Sequence, residues 1–218
     1  MKLETQCLHA GYSPESTTNS CAVPLYKTSS FVFNNTEHAA NLFGLRELGN
    51  IYTRLMNPTT DVLEQRVAAL EGGAAALGIA SGTSAVFYSI INLAQEGDEI
   101  VSANNLYGGT YTQFTDILPK FGINVKLVDP NNPANFAAAI TDKTKALLCE
   151  SVSNPGLDVA DIRAIANVAN DHGIPLIVDS TFSTPYLTNP IEHGASIVIH
   201  SLTKWMGGHG NGIGGIVV

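Results

Sequence analysis

Several residues that could do chemistry recur at one kind of place, just after a short apolar run. Lys204 sits in His200-Ser201-Leu202-Thr203-Lys204-Trp205, with hydroxyls one and three positions before it. It is the only lysine after Lys145. A lysine amine that is partly desolvated and near positive charge gives up its proton more readily and becomes a nucleophile. Trp205 and the glycines after it lead us to expect such a setting rather than an exposed loop. Asp179 directly follows Leu176-Ile177-Val178. An acid there is costly unless a cation or good donors meet it. A protonated ring nitrogen, a metal or an arginine would serve, and a plain loop cap is the alternative.

Four other stretches are weaker singly. Ser81-Gly82-Thr83-Ser84 begins a helical segment. Small residues there can aim backbone N–H groups at an anion, although a bare serine cap reads equally well. Tyr107-Gly108-Gly109 could lay a ring over a flat ligand or form a simple turn. Ser153-Asn154-Pro155-Gly156 is a turn signal, and Asn154 could bond its own loop or a ligand oxygen. In Tyr52-Thr53-Arg54 the guanidinium suits a phosphate, or a surface ion pair. Together these give an anion cup, an aromatic plate, an acid and a reactive amine. Pyridoxal phosphate demands that set: a lysine Schiff base, an acid against the pyridine nitrogen and a phosphate anchor.

The elements that must position these groups alternate. Short apolar runs at 75–80, 99–103, 123–128, 145–149, 175–179 and 195–200 read as strands. Helical segments at 82–93, 109–121, 133–140 and 160–172 lie between the first five. Leu176-Ile177-Val178 has no polar alternation, so both its faces should be buried. The pattern predicts an α/β fold, a mostly parallel sheet flanked by helices. Ligands then bind beyond the carboxyl ends of the strands. Residues 1–56 read instead as an extended N-terminal arm with a short helix over 36–48. From 57 a domain runs to 218. Asn57-Pro58 starts its first helix as a cap followed by proline, and Gly72-Gly73 stops it. The last residues, Gly214-Gly215-Ile216-Val217-Val218, are strand-like without a turn or polar tail, so we expect the domain to be truncated there.

Composition narrows the class. Hydrophobic residues make up 44% and charged residues 14% of 218 residues, too apolar for a disordered chain. No apolar run approaches the ~18 residues of a membrane helix, and the first residues lack the apolar core of a signal peptide. A formal charge of -8 argues against nucleic acid as a partner. Three widely spaced cysteines suit neither zinc nor a disulfide framework, and no H-x-x-x-H spacing occurs, so no metal is expected. The expectation is a cytoplasmic protein. Two motifs mislead. Gly210–Gly215 satisfies G-x-G-x-x-G, but a strand-like run follows it where a dinucleotide fingerprint needs a helix. Ser201–Lys204 satisfies S-x-x-K, but neither S-D-N nor K-T-G occurs.

The assembled stretches resemble the Cys/Met-metabolism family of pyridoxal-phosphate-dependent enzymes, within it the O-acetylhomoserine sulfhydrylase subgroup. The matching segments run in family order: Tyr52-Thr-Arg54-Leu-Met-Asn-Pro-Thr, Ser81-Gly82-Thr83, Leu106-Tyr107-Gly-Gly, Ser153-Asn154-Pro155, Val178-Asp179-Ser-Thr181 and His200-Ser201-Leu-Thr203-Lys204-Trp-Met-Gly-Gly-His-Gly. The resemblance implies the large domain of fold-type I, aspartate-aminotransferase-like enzymes. It implies that Lys204 bonds pyridoxal 5'-phosphate and moves protons, that Asp179 keeps the ring nitrogen protonated, and that Tyr107 stacks on the ring. Gly82, Thr83, Ser201 and Thr203, beside Ser81, would hold the phosphate. Asn154 would touch the phenolic oxygen, and Thr181 would support Asp179. Tyr52 and Arg54 would complete the site of a neighbouring subunit in a homo-oligomer. The implied reaction is γ-replacement on O-acetyl-L-homoserine with sulfide or a thiol. Cystathionine γ-synthase or γ-lyase activity, or an inactive oligomerising fragment, are the alternatives. Gly109 stands where methionine γ-lyases carry cysteine, against that activity. The family is about twice as long, and no residue here can be given the role of its substrate-carboxylate arginine.

Overall fold

The computed structural model describes residues 1–218, which divide into two compact units, Met1–Leu70 and Glu71–Val218. The sequence places the change at 56/57. In the first unit α1 (Leu3–His9) was not expected. Helix α2 (Thr36–Phe43) begins where predicted, with Asn35 Oδ1 accepting the His38 N–H at 2.8 Å. It stops at Phe43 rather than 48, because Gly44 caps it and Leu45 turns to a φ of 53°. Helix α3 (Pro58–Glu71) starts as expected from its proline. Asn57 Oδ1 accepts the Thr59 N–H at 2.9 Å, while Asn57 Nδ2 donates to the Tyr26 carbonyl at 2.9 Å and to Thr53 Oγ1 at 3.1 Å. One buried side chain thus caps the helix and fastens the arm.

The second unit is built on a seven-stranded sheet in the order β1-β7-β6-β5-β4-β2-β3. Its strands are β1 (Leu77–Ile79), β2 (Glu99–Ala103), β3 (Asn124–Val128), β4 (Thr144–Glu150), β5 (Leu176–Asp179), β6 (Ile197–Ser201) and β7 (Gly215–Val217). β2 to β6 pair in parallel, and β7 runs antiparallel between β1 and β6. Strand β1 is shorter than the predicted 75–80. The connecting helices are α4 (Gly82–Leu93), α5 (Gly108–Thr112), α6 (Ala134–Ala139) and α7 (Ile162–Asp171), with one further turn, α8 (Thr184–Leu187). Leu176, Ile177 and Val178 are fully buried, as a strand covered on both faces requires. The helix expected over 109–121 is broken. After α5 come a π turn at Gln113–Ile117 and a 3-10 turn at Leu118–Phe121. Pro119 has no N–H to give an α-helix, and Gly122 ends the run at a φ of 72°.

The strand order fixes where a ligand can sit. From β2 the chain steps outward to β3, then returns to the other side of β2 as β4. Right-handed crossovers in opposite directions place their helices on opposite faces, so the loops after β2 and β4 part and leave a crevice. No helix is long and apolar enough to cross a membrane.

Candidate functional site

A cavity of about 730 Å³ opens at this end of the sheet, a size ordinary for a small-molecule site. Every residue singled out in the sequence of the second unit lines it: Ser81, Gly82, Thr83, Tyr107, Asn154, Asp179, Thr181, Ser201, Thr203 and Lys204. Tyr52 and Arg54 belong to the first unit, where the Arg54 guanidinium lies 5.3 Å from the centre of the Tyr52 ring.

The anion cup is the start of α4. Ser81 caps the helix, its Oγ accepting the Ser84 N–H at 3.1 Å. Gly82 and Thr83 occupy the first helical turn, whose amides have no intrahelical acceptor. Their positive end of the helix dipole attracts an anion. Gly82 is required by close packing, because a Cβ there would fall 2.5 Å from Ser201 Cβ. The helix start is therefore set directly against the end of β6. Thr203 departs from expectation. Its hydroxyl is engaged by Gly214, accepting that residue's N–H at 3.1 Å and donating to its carbonyl at 3.3 Å.

The acid side is set by β4 and β5, where Glu150 and Asp179 are register partners. Burial pushes the Asp179 carboxyl above the usual carboxylate range. Its Oδ1 accepts the Thr181 N–H at 3.0 Å, and Thr181 Oγ1 accepts the Ser201 N–H at 2.8 Å. Thr181 thus ties the acid to the end of β6, the strand that leads into the lysine turn. Sequence reasoning missed Glu150, which also lines the cavity. The signal was available, since Glu150 ends a buried strand as Asp179 does. Burial pushes its carboxyl up to about 7, and neighbouring Asp179 adds to the rise. Two backbone donors oppose this: Tyr107 N–H at 2.6 Å and Asn154 N–H at 3.0 Å.

Tyr107 is exposed, with its ring folded over Gly109. A Cβ at Gly109 would lie 2.5 Å from Tyr107 Cε1, so a side chain there would displace the ring. Lys204 corrects an expectation. It is exposed on the turn after β6, not desolvated, because Trp205 is itself 65% exposed and does not cover it. Trp205 instead meets Phe182 edge-on at 6.2 Å, forming an apolar wall that sequence reading did not identify.

The donor set fits pyridoxal 5'-phosphate. It offers a helix N-terminus for a dianion, a half-buried acid in no ion pair for a protonated ring nitrogen, a tyrosine for the ring face and an amine for the aldehyde.

A profile of the family described as Cys/Met metabolism PLP-dependent enzyme matches residues 4–218. An O-acetyl-L-homoserine sulfhydrylase from Leptospira meyeri is 57% identical over 217 residues, covering 100% of this chain and 49% of that protein. A homocysteine synthase from Schizosaccharomyces pombe is 53% identical over 216 residues, covering 99% of this chain and 50% of that one. Among solved structures, a Campylobacter jejuni protein described as an O-acetylhomoserine (thiol)-lyase, containing pyridoxyl-lysine phosphate, superposes with a TM-score of 0.97 at 43% identity over 100% of this chain and 53% of its own. A cystathionine γ-lyase from Lactobacillus plantarum, complexed with L-serine, gives a TM-score of 0.92 at 38% identity over 100% of this chain and 55% of its own. The expected fold-type I architecture is borne out by these likenesses. The chain spans about half the length of the curated relatives it matches. The chain belongs to the Cys/Met-metabolism family of pyridoxal-phosphate-dependent enzymes.

Proposed function

We propose that this chain supplies the cofactor site of an enzyme performing γ-replacement on O-acetyl-L-homoserine. Sulfide or a thiol displaces acetate, giving homocysteine or methionine, a step of methionine biosynthesis. The observation that carries this reading is the convergence of Lys204, Asp179, Tyr107 and the start of α4 on one cavity at the strand ends. Kinship with an O-acetyl-L-homoserine sulfhydrylase at 57% identity supports the choice of substrate.

Each side chain has a task on this reading. Bound pyridoxal phosphate supplies an electron-withdrawing ring that stabilises negative charge on the amino acid's carbons. Lys204 binds the cofactor, and its amine takes and returns protons at Cα and Cβ of the substrate. Asp179 holds the proton on the ring nitrogen, and Thr181 orients that carboxylate. The amides of Gly82 and Thr83 and the Ser201 hydroxyl hold the phosphate, with Ser81 and Thr203 shaping the cup. Tyr107 packs on the ring face, and Asn154 reaches the phenolic oxygen. Tyr52 and Arg54 serve the phosphate of a neighbouring subunit in a homo-oligomer. Three unpaired cysteines suit a reducing cytoplasm.

The test is product analysis of the purified protein with pyridoxal phosphate. O-acetylhomoserine plus sulfide is expected to give stoichiometric acetate and homocysteine. Cystathionine formation from cysteine at a higher kcat/KM, or keto-acid release without a sulfur acceptor, would overturn the reading in favour of a γ-synthase or a γ-lyase.

A further inference from the structure

Glu150 has no part in the roles above, yet it sits at the point where the sheet divides. It is the last residue of β4, and its register partner on β5 is Asp179. One oxygen, Oε1, accepts the N–H of Tyr107, at 2.6 Å, in the loop after β2. The other, Oε2, accepts the N–H of Asn154, at 3.0 Å, in the loop after β4. These two loops flank the crevice made by the change of direction between β2 and β4. They carry the residues placed against the ring face and the phenolic oxygen.

We propose that Glu150 is a positioning residue for the cofactor, a carboxylate bracket that spans the crevice and sets Tyr107 and Asn154 at a fixed separation. The proposal rests on the reading of Tyr107 as the ring-stacking residue.

The chemistry favours a carboxylate for this task. Two N–H donors from separate loops need two acceptor oxygens on one rigid plane, and only an acid or its amide has that shape. An amide would meet one of the donors with its own NH2 group. Aspartate keeps both oxygens but is one methylene short, so it reaches one loop at the expense of the other. The site is also an expensive place for an acid. Glu150 is 7% exposed and stands beside a second carboxylate. A group needed only to fill space would not carry that cost. The loop after β2 has other anchors, since Asn105 Nδ2 donates to Asp158 Oδ2 at 3.1 Å and Leu106 is buried, but only Glu150 bonds the Tyr107 N–H: Tyr107 O accepts only from its own helix, and its ring rests on Gly109. Without the bracket, Tyr107 would be held between buried Leu106 and two glycines, Gly108 and Gly109, with its own N–H unpaired.

The test is a double-mutant cycle on the dissociation constant for pyridoxal phosphate, with the induced circular dichroism of the bound cofactor as a second readout. The variants are Glu150→Gln, Tyr107→Ala and both together. Each single substitution is expected to weaken binding by about tenfold or more, the scale of one hydrogen bond to a charged group. The effects are expected not to multiply in the double variant, because part of the Glu150 effect acts through the Tyr107 ring and only the part acting through Asn154 remains. Induced dichroism should fall in Glu150→Gln although the cofactor is bound at saturation. Glu150→Asp, which keeps the charge, should fall between wild type and Glu150→Gln, and it serves if Glu150→Gln does not fold. Multiplying effects in the double variant, or an unchanged dissociation constant and dichroism in Glu150→Gln, would overturn the bracket while leaving the site intact. Unchanged binding in Tyr107→Ala would overturn the stacking role and the bracket with it.

Discussion

Gly82→Ala probes the join between α4 and β6 with one added methyl group. The new Cβ would lie 2.5 Å from Ser201 Cβ, 2.9 Å from Ser201 Cα and 3.0 Å from Ser201 Oγ. Carbon atoms in contact prefer about 3.5–4.0 Å, so the helix start must move about 1 Å from the strand end. Overpacking of this kind costs about 1–3 kcal/mol. Alanine returns at most about 1 kcal/mol of helix propensity, which leaves a net loss of about 0–2 kcal/mol in folding. Phosphate binding is more sensitive. A donor displaced by about 1 Å no longer makes a good hydrogen bond, and a bond to a charged group contributes about 1.5–3 kcal/mol. That is about ten- to a hundredfold in affinity. The assay compares dissociation constants for pyridoxal 5'-phosphate and for pyridoxal, whose ratio isolates the phosphate. Gly82→Ala should raise the ratio of the pyridoxal 5'-phosphate constant to the pyridoxal constant at least about tenfold. Gly212→Ala, with no atom within 4 Å of its added carbon, should leave it unchanged. An unchanged ratio in Gly82→Ala would refute the placement of the phosphate at the start of α4.

Three further outcomes are expected. His200 Nε2 and Glu71 Oε1 meet at 2.5 Å with both side chains fully buried, so His200→Ala leaves Glu71 without that partner. Chemical denaturation should show a loss of about 3–5 kcal/mol, and a loss under about 1 kcal/mol would contradict the pairing. Burial pushes the Cys149 thiol up to about 12, whereas Cys7 and Cys21 are exposed. A thiol reagent at pH 8 should therefore label Cys7 and Cys21 in the folded protein and reach Cys149 only on unfolding, as read by peptide mass. The Glu150 carboxyl is pushed from 4.5 to about 7 in the folded state. Its contribution to stability is full below pH 4.5 and is lost as pH rises through about 7, by about 3 kcal/mol in all. The stability of Glu150→Gln relative to the unsubstituted protein should rise across that window, and a flat difference would contradict it.

The parallel sheet was legible because local patterns carry it. Leu176-Ile177-Val178 has the composition of a strand covered on both faces, and Asn57-Pro58 and Ser81 mark helix starts by their own side chains. The site residues of the second unit were legible for a related reason. Each follows a strand, and ligand-side strand ends converge in any sheet of this kind. What stayed hidden depends on distant partners. Glu71 and His200 are 129 residues apart, and neither carries a local sign of the other. Glu150 was passed over although an acid ending a buried strand raises the same question as Asp179. Its partners are backbone amides of two loops, which sequence does not display. The exposure of Lys204 was misjudged because Trp205 packs on Phe182 rather than over the lysine. The break in the 109–121 helix turns on Pro119, whose missing N–H ends an α-helical ladder, and on Gly122, which takes a φ of 72°.

On the proposed reading everything at the site depends on Lys204 as the residue that bonds pyridoxal phosphate. The measurement is borohydride reduction of the protein with bound pyridoxal phosphate, followed by peptide mass mapping. A reduced pyridoxyl group is expected on Lys204, and its loss in Lys204→Arg. A stoichiometric adduct on another lysine, such as Lys126 or Lys145, with Lys204 unmodified, would contradict it.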